Sequence, residues 1–239
     1  MDVAGFRPRR FAVIAMCLVM LTGSVGCSMI GPTTANSFIT QIETSRDPNV
    51  RFTAYEKLGA DSVYDTPEQR AKAVKVLLAA LAPNKEPTAT RAVVCRTLGS
   101  LGDPAGREPM IRLVTDNDTL VRTEAIRALG KLGRPEDATI LMQRMTLDPS
   151  NDCRVAAIEA LGSMKAADPR TPGYLVDAME NDDPGIRLAA YQSLKQITKH
   201  DAGVKTEAWR TYLASKDLPD LPTTAKAKTV DRAAKPASH

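Results

Sequence analysis

A chain of 239 residues is long enough for one sizeable domain with appendages. Aromatic residues make up only 4% of it, and the apolar positions are mostly Ala, Leu, Val, Ile and Met, a palette suited to closely packed helices. The 32 basic and 28 acidic side chains leave a net charge of +4, too even a balance for the concentrated basic face of a nucleic-acid binder.

The first segment, MDVAGFRPRRFAVIAMCLVMLTGSVGCSMIGP, has the three-part layout of an export signal. Arg7, Arg9 and Arg10 supply the positive region, Phe11 to Leu21 form an apolar run of eleven residues, and small residues lead to Cys27. Such a run is too short to cross a hydrocarbon core about 30 Å thick as a helix. It resembles the lipobox of bacterial lipoproteins, in which Cys27 would receive the acyl chains and become the mature N-terminus. Ser24 departs from the aliphatic residue preferred there, and Ser24 with Gly26 also suits an ordinary leader peptidase.

The body of the chain repeats itself. PNVRFTAYEKLGA, TATRAVVCRTLGSLG, DTLVRTEAIRALGKLG, SNDCRVAAIEALGSM and DDPGIRLAAYQSLKQI align on Arg51, Arg91, Arg122, Arg154 and Arg187, at spacings of 40, 31, 32 and 33. Three residues after each Arg stands Ala54, Val94, Ala125, Ala157 or Ala190, and seven after it a Leu. Eight after it comes Gly59, Gly99, Gly130 or Gly162, until Lys195 breaks the pattern. Offsets of three, four and seven share one helical face, and the Gly beyond the Leu suits a left-handed C-cap. Asp47, Asp118 and Asp183 stand four residues before their Arg, where a carboxylate caps a helix N-terminus; Pro87 and Ser150 take that place in the other copies.

Between the copies lie more variable amphipathic segments. DTPEQRAKAVKVLLAALA begins with Thr66 as N-cap, Pro67 at the first helical position and Gln69 completing a capping-box pattern. EPMIRLV, EDATILMQRM, TPGYLVDAM and TEAWRTYL follow. Each unit therefore reads as an Arg-bearing first helix, a turn and a second helix.

On these residues the stretch from about 45 to 215 resembles the short HEAT-repeat family, including the version named after phycobilisome lyases. The expected fold is all-α: a right-handed α-solenoid of about five HEAT-like helix–turn–helix repeats, with ANSFITQIETS as a capping helix. The resemblance implies an inter-repeat hydrogen-bond ladder built from Asp47, Arg51, Arg91, Asp118, Arg122, Arg154, Asp183 and Arg187. It also implies that second helices line the concave face. Trp209 and Tyr212 are expected to pack as the terminal cap. Cys95 and Cys153 lie two copies apart, beyond the roughly 7 Å reach of a disulfide if helices stack 8–10 Å apart, so both thiols are expected to be free.

Motifs for chemistry are sparse. The two histidines, His200 and His239, stand in a turn and at the end of the sequence, and no H-E-x-x-H, C-x-x-C, G-x-S-x-G or phosphate-loop motif occurs. Asp182 and Asp183 precede Pro184 as capping residues. No catalytic, cofactor or metal residue is expected, and the chain is not expected to be an enzyme.

Unrepeated residues of the second helices, namely Lys72, Lys75, Arg107, Arg112, Gln143, Arg144, Tyr174 and Asp177, are the expected docking set for a protein or peptide partner. The expected domains are an export signal over 1–26, a tether over 27–35, the solenoid over 36–215 and a basic, Pro-containing disordered tail over 216–239. Together these describe a scaffold or adaptor exported to the bacterial envelope. It would be held to a membrane through a lipidated Cys27 and would face the periplasm or exterior. A chromophore-lyase-like or other enzyme-accessory activity, implied by the repeat resemblance alone, is the alternative.

Overall fold

The computed structural model describes residues 34–164 and 168–216. The expected export signal, Cys27, and nearly all of the expected tether and tail lie outside the described residues. Among the described residues there are eleven α-helices and no strand. Five carry the repeated arginines: α2 (Pro48–Lys57), α4 (Thr88–Leu101), α6 (Thr119–Leu132), α8 (Asn151–Met164) and α10 (Pro184–Thr198). Six alternate with them: α1 (Ala35–Thr44), α3 (Pro67–Ala80), α5 (Arg107–Leu113), α7 (Ala138–Leu147), α9 (Thr171–Ala178) and α11 (Thr206–Ala214). No described helix is long and apolar enough to cross a membrane.

Local chemistry starts the helices. The Asp47 carboxylate accepts the N–H of Asn49, Asp118 those of Leu120 and Val121, and Asp183 that of Ile186, each answering an amide the helix cannot satisfy itself. Thr66 accepts from Gln69 N–H at the head of α3, but the Gln69 side chain accepts from Asp65 N–H, so the expected capping box does not close. Pro87 offers α4 no side-chain cap.

The Arg-bearing helices stack in an unbroken row, α2 on α4, α4 on α6, α6 on α8 and α8 on α10. Each alternating helix packs on the Arg-bearing helix after it: α1 on α2, α3 on α4, α5 on α6, α7 on α8 and α9 on α10. The structural hairpin is thus one helix out of phase with the sequence reading, which joined each Arg-bearing helix to the segment following it. In this phase α1 is the outer partner of α2, and α11 is left over to close on α9. The result is the all-α solenoid of HEAT-like units. Its core runs continuously along the stack through fully buried Tyr55, Leu58, Leu98, Leu129, Leu161 and Trp209.

Three of the four repeated glycines do not end helices; Gly59 alone follows the end of its helix, α2, and does so without a left-handed φ. Gly99, Gly130 and Gly162 lie inside α4, α6 and α8, and the left-handed C-cap of α4 is Gly102, at φ 67°. A Cβ on Gly99 would stand 2.8 Å from Ala128 Cα, one on Gly130 would stand 2.6 Å from Ala160 Cβ, and one on Gly162 would stand 2.7 Å from Ser193 Oγ. The residue eight after each Arg is therefore the seat for the residue six after the next Arg. Where that second residue is Thr97 or Ser193, its hydroxyl also donates to the preceding helix, at Tyr55 O and Ile158 O. Lys195 breaks the glycine pattern because α10 is the last Arg-bearing helix and nothing must sit on it. Lys57, six after Arg51, is charged for the mirror-image reason.

Candidate partner-binding groove and the arginine ladder

The repeated arginines tie consecutive units together. Arg51 holds both Glu86 oxygens, at 3.3 and 3.2 Å, and donates to Ser45 O. Arg91 pairs with Asp116. Arg122 grips Asp148 at 3.1 and 3.2 Å and donates to the carbonyls of Asp116 and Asn117. In each case the carboxylate belongs to the loop leading into the next Arg-bearing helix. The expected acids, Asp47, Asp118 and Asp183, cap their own helices instead, and the rungs run through Glu86, Asp116 and Asp148. Sequence offered a signal for two of these, an acid six residues before an Arg. At that position Ser45, Asp116, Asp148 and Asn181 all accept the N–H of the residue two further on. Asn181 cannot carry the ionic rung, so Arg154 turns to Met145 O and Asn151, and Arg187 to the carbonyls of Asn181 and Asp182.

The two rows of helices pack differently. The Arg-bearing helices meet at glycine and alanine, whereas the alternating helices meet each other only sparsely. A groove of about 400 Å³ lies on the Arg-bearing row, across α4, α6 and α8, whereas the resemblance implied that second helices line the concave face. Ala128, Ala156 and Ala160 line it. On one side Glu124, only 7% exposed in its side chain, is clamped by Arg96 at 3.1 Å through two bonds and by Arg127 at 3.3 Å. Hydrogen bonding to Glu124 raises the Arg96 guanidinium above its ordinary value. Exposed Lys131, Glu159 and Ser163 complete the rim. A shallow apolar floor with charges of both signs at its edges fits a protein surface or extended segment.

The expected docking set is spread along the other row. Lys72 and Lys75 are exposed on α3, and Arg112 and Gln143 on α5 and α7. Arg107 is occupied by Asp137, at 2.7 and 2.5 Å, and by Glu108. Arg144 lies 4.0 Å from Asp148, Tyr174 is half-buried, and Asp177 accepts from Arg210 at 3.2 Å. The structure does not gather these eight into one site.

Among the described residues, no group of three or more His, Cys, Asp or Glu side chains is placed to hold a metal ion. Cys95 and Cys153 are free and buried. Burial pushes the Cys95 thiol up to about 12, and Cys153 Sγ lies 3.2 Å from Thr123 Oγ1, so both are packing residues rather than nucleophiles. His200 stacks on Tyr212 with ring centroids 4.0 Å apart and meets Trp209 edge-on. Trp209 Nε1 donates to Gly203 O at 2.7 Å, and this aromatic cluster closes the C-terminal end of the stack.

A family model described as HEAT repeats matches residues 74–162, the stretch from α3 into α8 that holds the groove. Among solved structures, the chain is similar to one described as "The structure of the complex of CpcE and CpcF of phycocyanin lyase from Nostoc sp. PCC7120". Sequence identity is 22%, the TM-score is 0.58, and the match covers 74% of this chain and 70% of that one. No curated protein matches the chain. The neighbour overturns the expectation that the chain is not an enzyme. That expectation rested on missing hydrolase and metal motifs, yet a lyase is built on this same fold, so the lack of such motifs excludes nothing.

Proposed function

We propose that the chain is a lyase-like or enzyme-accessory solenoid that works bound to a second protein, docked along the groove of α4, α6 and α8. The observation that carries this reading is the fold shared over 74% of the chain with a protein solved within the complex of CpcE and CpcF of phycocyanin lyase. The groove supports the docking half of the reading: its Arg96–Glu124–Arg127 clamp is preorganised, and Lys131 and Glu159 stand exposed beside an alanine floor. Export to the bacterial envelope and acylation at Cys27 belong to the same proposal, supported by the Arg-flanked apolar run ahead of Cys27.

A photo-crosslinker at position 131, used in the bacterial envelope, tests the docking surface. A discrete partner that disappears with Arg127→Glu supports the groove. The same partner captured instead from α5 and α7, and lost with Arg112→Glu and Gln143→Glu, moves docking to the second-helix row. Titration with a free bilin, read by absorbance, tests the lyase-like arm, for which a shifted and intensified band is expected. No partner at either row together with no spectral change overturns the whole reading. Intact mass tests the anchor: a mature chain beginning at Cys27 without acyl mass would remove lipidation from the proposal.

A further inference from the structure

A second hollow lies at the opposite end of the stack from the aromatic cap, walled by α1, α2, α3 and the loop entering α4. Its volume is about 710 Å³, within the range of small-molecule pockets. The polar groups at its back are already satisfied. Glu86, 4% exposed in its side chain, accepts from Nε and Nη2 of Arg51 and from the hydroxyl of buried Tyr55 at 3.1 Å. Burial, reinforced by the neighbouring Glu86 carboxylate, raises that phenol well above its ordinary value and keeps it protonated as a donor. Arg51 and Glu86 thus cancel within the wall and leave it without net charge.

The rim is different. Lys72 and Lys75 stand one turn apart on α3, and Lys85 faces the same space from the loop, after a turn in which Asn84 adopts φ 58°. None of the three ammonium groups has an ion-pair partner among the described residues. The one acid left facing them is Glu43. Between rim and wall the lining is apolar, from Ile42, Val76 and Ala79, extended by the methylene stems of the lysines. Solvated lysines alone would be an ordinary surface; three unpaired ones around an apolar hollow of ligand size are not.

From this juxtaposition we infer that the hollow between α1, α2 and α3 is a binding site for a small anionic amphiphile. Its carboxylate or equivalent head meets Lys72, Lys75 and Lys85, and its hydrocarbon body lies on Ile42, Val76 and Ala79. The site is separate from the groove and does not depend on the partner reading.

Calorimetric titration of the full chain with decanoate tests it, with acetate, decyltrimethylammonium and a short poly-glutamate peptide as comparison arms. One decanoate is expected to bind per chain. The double variant Lys72→Gln/Lys75→Gln should weaken it about tenfold or more. Val76→Asp should also weaken it, while Arg127→Glu in the distant groove leaves it unchanged. Circular dichroism melting confirms that each variant is folded; the lysine pair is exposed, so its replacement leaves the fold intact. Decanoate binding unaffected by the lysine pair, acetate binding as tightly as decanoate, or decyltrimethylammonium binding as well as decanoate each overturns the proposal. Tighter binding of the acidic peptide overturns it in favour of a protein segment.

Discussion

Arg122 is nearly buried, and its charge persists there because Asp148, two backbone carbonyls and Thr119 Oγ1 surround the guanidinium. Asp148 is fully buried in its side chain, so removing the arginine strands a carboxylate. Arg122→Ala is expected to cost about 3–5 kcal/mol in urea unfolding, and Asp148→Asn added to it should recover part of that loss. The same rung gives stability a pH dependence. Burial pushes the Asp148 carboxyl up, but the bond from Arg122 and the Ser150 amide outweigh it, leaving the group below the usual carboxylate range. Asp137, buried and held by Arg107 and the Arg134 amide, moves the same way. The unfolded chain therefore binds more protons in this window. The contribution of both groups is complete above the ordinary Asp value of about 4 and is lost as pH falls through their lower folded values. Urea midpoints are expected to drop as pH falls below about 4, with a shallower drop in Asp148→Asn.

At the scale of helices, a seat of small residues replaces what looked like punctuation. Substituting alanine for glycine inside an exposed helix stabilises it by about 1 kcal/mol. Gly130→Ala is expected to do the reverse, because its Cβ would overlap Ala160 on α8 and force apart two closely packed backbones. A lowered melting temperature checks this, and an unchanged or raised one would show that the row can relax. The Arg, Leu and Asp spacings were enough to find the five helices and three of their caps, since periodicity and capping are local. The pairing phase was not legible: equal turns on both sides of a helix leave open which neighbour it folds onto. The close packing of the Arg-bearing row was legible in principle, through the small residues at offsets six and eight, but a glycine after Leu at a helix end matches a C-cap just as well. Asp116 and Asp148 escaped notice because an acid in a loop is ordinary until its distant arginine is known.

Across the whole molecule the ladder has one missing ionic rung, between α8 and α10, where Asn181 stands in the place of Asp116 and Asp148. Asn181→Asp is expected to bring a carboxylate within reach of Arg154 and raise stability by up to about 1 kcal/mol. The gain should vanish when Arg154→Ala is present, a coupling that a double-mutant cycle measures. Both the groove and the lysine-rimmed hollow lie on the N-terminal side of this gap. Arg96 and Arg127 of the groove share one repeat position, five after Arg91 and Arg122, whereas the lysines of the hollow are unrepeated, so repeat spacing revealed the scaffold and left the hollow for the three-dimensional structure to find.

Because each link joins only neighbouring units, the missing rung also sets where the stack comes undone. Helices α9, α10 and α11 hold to α8 by packing, the Ser193 hydroxyl and an exposed hydrogen bond from the Asn151 amide to Asp183, without the buried ion pair that binds α6 to α8. In a linear array, fraying starts at the weakest terminal interface and stops at the first strong one. Amide hydrogen exchange should therefore reveal the last three helices opening together as one unit, faster than α4, α6 and α8 behind them. Opening of that end would leave the groove on α4, α6 and α8 assembled.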